Sequence, residues 1–176
     1  VGILGPNGIG KSTAINLLSG TFTPNLGEWR NPSPQWEDVI TTFPRGELRD
    51  YLGLVAKEEV RIAVKPQYID KLPKIFQGKV IDLLERVDER NEVPHFSRIM
   101  GIDHILERNL EALSGGELQR VAICATLLKE ADVYFFDEPS SYLDIYERMR
   151  MVGVVRELTE RGNRVLVLEH DFAILD

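Results

Sequence analysis

The sequence predicts an α/β fold in which a largely parallel sheet is flanked by helices. Short apolar segments of strand length alternate along the chain with longer segments whose apolar residues recur at helical spacing. A glycine-rich turn connects the first predicted strand to the first predicted helix. The 176 residues, of which 43% are hydrophobic and 28% charged, are enough to form one folded domain with its own core.

The elements of the first half follow from local patterns. Residues 1–4 are a predicted strand. Residues 11–19 are a predicted helix that Gly20 ends, because glycine favours the backbone conformation found after a helix. Apolar residues at helical spacing predict a helix over residues 48–55, and alternating apolar residues predict a strand over residues 60–64.

The second half continues this alternation, and the same two patterns predict its elements. In order, we expect helices near residues 80–87 and 93–100, a helix after Ser114, a strand at 133–136, a helix at about 145–161 and a strand at 164–168.

Composition excludes several classes of protein. The formal charge of −7, from 21 Lys and Arg against 28 Asp and Glu, disfavours sequence-independent binding to nucleic acid. The one cysteine, Cys124, excludes an internal disulfide framework and indicates a reducing, cytoplasmic setting; we expect it in the core. The longest apolar runs are only as long as strands, so we expect no membrane insertion.

A phosphate-binding motif lies between the first strand and the first helix. Residues 5–12 have the sequence GPNGIGKS, which fits G-x-x-x-x-G-K-[ST] in the context that this motif requires. Its glycines let backbone N–H groups point at phosphate oxygens, and the helix N-terminus adds a partial positive charge. Lys11 supplies a charge to the β and γ phosphates, and the Ser12 hydroxyl can bind Mg²⁺. The predicted nucleotide-binding residues of this motif are Gly5, Asn7, Gly8, Gly10, Lys11, Ser12 and Thr13.

Two carboxylates, Asp137 and Glu138, follow the predicted strand at residues 133–136. The carboxyl ends of strands are where parallel α/β sheets bind ligands. We expect Asp137 to hold Mg²⁺ through its water shell and Glu138 to accept a hydrogen bond from an attacking water. The phosphate-binding motif strengthens this interpretation, since strands also commonly end in a solvated Asp or Glu.

A second predicted anion-binding helix start lies at residues 113–120, which have the sequence LSGGELQR. Ser114 followed by two glycines is typical of a helix N-terminus that binds an anion, although a simple helix cap has the same composition. On these motifs, the chain resembles the ABC ATPase superfamily. The resemblance implies that two such domains dock head to tail, and that the signature loop of one closes on the ATP held by the other. The residues it assigns to this contact are Ser114, Gly115, Gly116 and Glu117.

The resemblance assigns three further residues. It implies that Gln67 reaches Mg²⁺ and the attacking water, that Asp144 communicates across the domain pair, and that His170 contacts the γ-phosphate. The implied catalytic residues are then Glu138 and His170, and the implied metal residues are Ser12, Gln67 and Asp137. We expect residues 1–176 to form a single, partial ABC nucleotide-binding domain with a helical region at about 70–130.

Several short segments are similar to one branch of this superfamily, the RNase L inhibitor family of ribosome-recycling ATPases in its archaeal form. They are PNGIGKST, PNLG, KPQYID, FFDEPSSYLD and EHD, and the similarity extends over nearly the whole chain. It implies a fragment cut at both ends, whose absent parts include an N-terminal iron–sulfur domain and a second ABC domain. It also implies that ATP and Mg²⁺ drive the splitting of ribosomes, with the small ribosomal subunit and a release or rescue factor as partners.

Two alternatives remain open from the sequence. The chain could be the ATPase subunit of a membrane transporter, in which the segment after Gln67 would grip a helix of the membrane partner. Separately, the basic residues between 45 and 65 could form a ribosome-facing patch, although interleaved acidic residues favour an ordinary solvated face. These basic residues are Arg45, Arg49, Lys57, Arg61 and Lys65.

Overall fold

The protein folds around a parallel sheet, as predicted. The computed structural model describes residues 1–5, 8–27 and 34–169. In the described residues the sheet has four strands in the order β1-β4-β3-β2, and all neighbours pair in parallel. The strands are β1 (Gly2–Leu4), β2 (Ile62–Lys65), β3 (Val133–Asp137) and β4 (Arg164–Glu169).

Helices flank this sheet, and the longer ones lie where the sequence predicts them. They are α1 (Lys11–Leu18), α2 (Trp36–Thr42), α3 (Glu47–Ala56), α4 (Leu72–Ile75), α5 (Val80–Val87), α6 (Val93–Ile99), α7 (Gly115–Leu127) and α8 (Ile145–Glu160). Two 3-10 turns, Asp103–Ile105 and Leu110–Ala112, precede α7. Sequence patterns did not predict α2 or α4. Each has at most two turns, which is too short for a helical period to emerge from the sequence.

The central strand β3 is buried on both faces. Tyr134 and Phe136 pack into the larger core, which α5, α6, α7 and α8 cover, whereas Val133 and Phe135 pack into a smaller core with Ile15 of α1. Every residue of β3 is buried, which explains why its sequence is an unbroken apolar run before Asp137. Cys124 is fully buried in the larger core, as expected, and this burial raises the pKa of its thiol to about 12.

Parallel pairing brings the carboxyl ends of all four strands to one edge of the sheet. Leu4 pairs with Glu169, Lys65 with Phe136, and Asp137 with Leu168. The segments that follow these strands therefore begin side by side. This edge is where ligands bind in open α/β sheets. In the described ranges, no helix is both long and apolar enough to cross a membrane.

The larger core offers a direct test of the fold. Leu84 of α5 is fully buried, so Leu84→Ala should lower the free energy of unfolding by about 2–5 kcal/mol through lost burial and the remaining cavity. Urea unfolding followed by circular dichroism measures the change. Leu48→Ala is the matched control, because Leu48 is 48% exposed and its truncation should cost less than about 0.5 kcal/mol. Equal effects of the two substitutions would contradict the packing described here.

Candidate nucleotide-binding site

The described residues of the phosphate-binding motif, Gly5 and residues 8–12, include a turn that leads into α1. Gly8 and Gly10 have φ values of 86° and 93°, in the left-handed region that glycine adopts without strain. Gly10 is the cap residue of α1, so the helix N-terminus opens toward the turn. The Lys11 side chain is buried, and its Nζ donates a hydrogen bond to the carbonyl oxygen of Gly5 at 2.6 Å. Lys11 is thereby folded back under the turn.

A cleft of about 390 Å³ joins this turn to two distant segments of the chain. The residues that line it are Gly8, Gly10, Lys11, Ser12, Thr13, Gln67, Tyr68 and Glu138. Gln67 lies two residues after the end of β2 and Glu138 directly follows β3, so the fold brings together three motifs that are far apart in sequence. Sequence analysis did not assign Tyr68 to the site. Its position directly after Gln67 was the signal that could have placed it there.

Asp137 accepts a hydrogen bond from Ser12, a residue that lines the cleft. Its side chain is buried, and burial raises the pKa of its carboxyl group, with a further contribution from Glu138. A hydrogen bond with Ser12 and the charges of Lys65 and Lys11 act in the opposite direction. The Oδ1 atom of Asp137 is buried and has no hydrogen-bond partner among the described residues.

This environment fits Mg²⁺. A buried carboxylate oxygen without a partner stands close to a hydroxyl group, and both are hard oxygen ligands of the type that Mg²⁺ prefers. A cation beside Asp137 would also compensate the cost of burying its charge.

Glu138 occupies a turn with an unusual backbone conformation. Its φ is 46°, in the left-handed region that non-glycine residues rarely adopt. Its backbone N–H donates to the carbonyl oxygen of Leu168 at 3.0 Å. On the other side, Gln119 Nε2 donates to the carbonyl oxygens of Glu138 and Pro139 at 3.0 and 2.9 Å. The surrounding structure thus holds the turn while the Glu138 side chain lines the cleft.

Lys65 lies beneath this turn and is fully buried. Burial lowers the pKa of its ammonium group to about 8, partly offset by the charges of Asp137, Glu169 and Glu138. Lys65 therefore cannot belong to a surface patch, which corrects the basic-patch hypothesis at this residue. Arg61 forms ion pairs with Glu130 at 2.8 Å and Asp132 at 3.1 Å, in agreement with a solvated charged face.

The signature motif caps the start of α7. The Ser114 Oγ accepts a hydrogen bond from the Glu117 N–H at 3.3 Å, and the Glu117 Oε2 accepts one from the Ser114 N–H at 2.8 Å. Arg108 pairs with Glu117 at 2.8 Å. The hydrogen bond from the Ser114 backbone, together with the contacts of the Ser114 hydroxyl and Arg108, lowers the pKa of Glu117. Glu117 therefore has a capping role in this chain.

Close packing requires glycine at the second signature position. A Cβ atom at Gly116 would lie 2.9 Å from the carbonyl oxygen of Tyr142, closer than a real Cβ comes to backbone. Gly115 lines a separate cleft of about 200 Å³ together with Gln67 and Tyr142. Within the described part of the chain, Ser114, Gly115, Gly116 and Glu117 do not line the cleft that contains Lys11.

Asp144 caps the start of α8 and is connected to the signature helix. Its Oδ1 accepts from the Glu147 N–H at 2.8 Å, and the Glu147 carboxylate forms an ion pair with Arg120 of α7 at 3.0 Å. Asn7 and His170, which were also predicted to contact nucleotide, lie outside the described residues.

The fold and the site define a nucleotide-binding domain of the ABC type. The chain belongs to the ABC transporter family, whose sequence profile matches residues 1–141. It is similar to ABC transporter E family member 1 of Arabidopsis thaliana, with 43% identity over 176 residues, all of this chain and 29% of that protein.

Two solved structures are similar as well. An archaeal ribosome recycling factor in complex with the archaeal ribosomal stalk protein superimposes with a TM-score of 0.92 and 48% identity, over 99% of this chain and 33% of that one. ABCE1 in a model of ribosome-bound archaeal Pelota and ABCE1 gives a TM-score of 0.88 and 49% identity, over 99% of this chain and 29% of that one. The chain thus spans about a third or less of the length of these relatives.

The cap of α7 predicts a pH-dependent contribution to stability. The folded protein lowers the pKa of Glu117, so its stabilising effect is present above the unfolded-state pKa and is lost as pH falls through the folded-state pKa. Glu117→Gln should lower the free energy of unfolding at pH 7 by about 0.3–1 kcal/mol, because Gln can keep the capping hydrogen bond but loses the negative charge beside Arg108 and the helix N-terminus. The difference from wild type should shrink as pH falls below the ordinary Glu range. Urea titrations between pH 7 and about pH 2.5, a range that extends well below the ordinary Glu pKa, measure it, with the exposed Glu111→Gln as control. A difference that stays constant over this range would contradict the assignment.

Proposed function

We propose that the chain is the ATP-hydrolysing ABC domain of a ribosome-recycling factor. The observation that carries ATP hydrolysis is the cleft that joins Lys11, Gln67 and Glu138, with Asp137 beside Ser12. The similarity of the whole chain to recycling factors, at 48% and 49% identity in solved structures, supports the cellular role.

Nucleotide binding follows from the turn at residues 5–12. Backbone N–H groups of the turn and of the α1 N-terminus receive the phosphate oxygens, because the helix start carries a partial positive charge. Lys11 adds a full positive charge at the β and γ phosphates. Since its Nζ already contacts the Gly5 carbonyl, the ammonium is held close to where the phosphates enter.

Ser12, Gln67 and Asp137 would hold Mg²⁺, whose charge neutralises the phosphates and polarises the γ-phosphoryl group. Asp137 must be ionised for this role. The positive charges of Lys65 and Lys11 favour its ionised form against the effect of burial.

Glu138 is the proposed catalytic residue that activates the attacking water. Its carboxylate accepts a hydrogen bond from the water that attacks the γ-phosphorus, and the bond between that phosphorus and the β–γ bridging oxygen breaks to give ADP and phosphate. Gln67 lines the same cleft and would help to orient the water. His170, outside the described residues, is proposed to contact the γ-phosphate.

A second ABC domain is proposed to complete the site. The signature residues of this chain lie outside its own phosphate cleft, so they are free to serve ATP held by another domain. Ser114, Gly115, Gly116, Glu117 and Asp144 would contribute to that head-to-tail contact. Closure of the two domains on ATP would then couple ATP binding to a movement of one domain relative to the other.

We propose residues 1–176 as one partial domain, with a helical region at about 70–130. We also propose that the iron–sulfur cluster belongs to an N-terminal part beyond this chain.

The proposed partners are the small ribosomal subunit and a release or rescue factor, in the cytoplasm. The relatives whose structures include a ribosomal stalk protein or ribosome-bound Pelota support such partners.

The transporter alternative keeps one structural observation in its favour. A largely apolar cleft of about 870 Å³ runs beside β2, and its lining includes Pro66 and Tyr68, the residues on either side of Gln67. A helix of a membrane partner would fit there, but the similarity of the whole chain to recycling factors favours the ribosomal role.

Two substitutions separate binding from hydrolysis. In the full-length protein, Glu138→Gln should lower ATP turnover by about 10²–10⁴-fold while ATP binding persists, because the amide cannot accept a proton from water. Lys11→Ala should weaken ATP binding itself. Phosphate release and nucleotide titration measure the two effects, with the exposed Glu85→Gln as control. A Glu138→Gln variant with wild-type turnover would refute the assigned role.

Ribosome association distinguishes the two cellular roles. With ATP and magnesium, the full-length Glu138→Gln protein should remain closed and sediment with small ribosomal subunits through a sucrose gradient. The Lys11→Ala variant should stay near the top, since it cannot close around ATP. Flotation of the protein with membrane vesicles and its absence from the subunit fractions would instead favour the transporter role.

A further inference from the structure

A buried amino group lies directly under the two carboxylates of the site. Lys65 is the last residue of β2, and none of its surface is exposed to solvent. Lysine is almost never fully buried without a partner, because removing the ammonium from water is costly. The contacts of this side chain therefore indicate why the position is lysine.

Among the described residues, the Lys65 ammonium forms its hydrogen bonds with the backbone rather than with a carboxylate. Its Nζ donates to the carbonyl oxygen of Asp137 at 3.0 Å and lies 3.4 Å from that of Glu138. Gln119 donates to the Glu138 carbonyl from the side of α7, at 3.0 Å. Two buried donors on two different elements thus converge on one turn.

This turn needs such support because Glu138 has a φ of 46°. A non-glycine residue in the left-handed region is strained and persists only where its surroundings hold it. If the Lys65 ammonium were absent, the buried Asp137 carbonyl would lose its donor, and the turn could relax to an ordinary backbone conformation. The Glu138 side chain would then point elsewhere.

The charge of Lys65 suits the same place. The negative charges of Asp137, Glu169 and Glu138 all favour the charged form of Lys65. Glu169 itself accepts hydrogen bonds from the Ser140 N–H and Oγ at 3.0 and 2.9 Å. The ammonium is therefore the central cation among three carboxylates at the edge of the sheet. An apolar side chain of similar length would leave these charges without that compensation.

We propose that Lys65 is a positioning residue for hydrolysis, which holds the Asp137–Glu138 backbone in the turn that directs the Glu138 carboxylate into the phosphate cleft. Because Gln67 follows Lys65 by two residues, the same contact fixes the start of the Gln67 loop relative to Glu138. This inference rests on the proposed ATPase function.

Lys65→Met in the full-length protein tests the proposal, since Met has a similar shape and no donor. We expect kcat for ATP hydrolysis to fall about 10²-fold, the size of effect that a small misplacement of a reacting group produces. The Kd for ATP measured without magnesium should stay within about threefold of wild type, because Lys65 does not line the phosphate cleft. Backbone amide hydrogen exchange, measured without nucleotide, should speed up in peptides that contain residues 138–141 and stay unchanged in α5.

Lys65→Gln provides a milder variant that retains a donor. Its loss of kcat should be smaller than that of Lys65→Met, and it carries the test if the Met variant does not fold. Lys57→Met is the control for loss of a lysine, because Lys57 is exposed at the end of α3. It should change neither turnover nor exchange.

Two results would overturn the proposal. One is wild-type kcat and unchanged exchange at residues 138–141 in both Lys65 variants. The other is a parallel loss of kcat, ATP affinity and melting temperature, which would indicate a general structural role. If the wild-type protein hydrolyses no ATP, the proposed function fails, and the exchange measurement alone then decides whether Lys65 holds the turn.

Discussion

The parallel pairing of β3 with β2 and β4 is the constraint on which the site depends. The register pairs Lys65 with Phe136 and Asp137 with Leu168, so the last residues of three strands stand side by side. Each strand then delivers its next residues to the same edge of the sheet. Gln67, Glu138 and the buried Glu169 owe their proximity to this register, and a shift by one residue would turn every side chain of the affected strand to the opposite face.

Buried charged side chains cluster at this same edge of the sheet. Lys65, Asp137 and Glu169 are all buried there, and Lys11, the one other charged residue buried among the described residues, acts on Asp137 from the end of α1. Such a cluster is costly unless every member has a partner. Hydrogen bonds from Lys65 and Gln119 to backbone carbonyls, and from Ser140 to Glu169, provide most of those partners. Within the described part of this cluster, the carboxylate oxygen without a hydrogen-bond partner is Asp137 Oδ1, which fits a metal ion.

The helix α7 connects the signature residues to the turn that carries Glu138. Its first turn carries the signature residues, and one turn further Gln119 contacts the carbonyls of the Glu138 turn while Arg120 pairs with Glu147. A displacement at the start of α7 would therefore shift the backbone at Glu138 and the Asp144 cap. In the proposed function, this gives a physical route from the ATP of one domain to the hydrolytic residues of the other.

The sequence by itself determined the order and type of the long elements, because strand and helix periods are local properties of the chain. It also determined the phosphate-binding turn, since Gly8, Gly10 and Lys11 act within one turn of α1. Only the tertiary structure decided that Lys65 is buried beneath Asp137 rather than exposed in a basic patch, and that Arg108 pairs with the Glu117 carboxylate. The first depends on the strand register, in which Lys65 pairs with Phe136, and the second on how the segment before α7 folds back onto its first turn. Local patterns carry no information about such contacts, because burial is decided by which elements pack together.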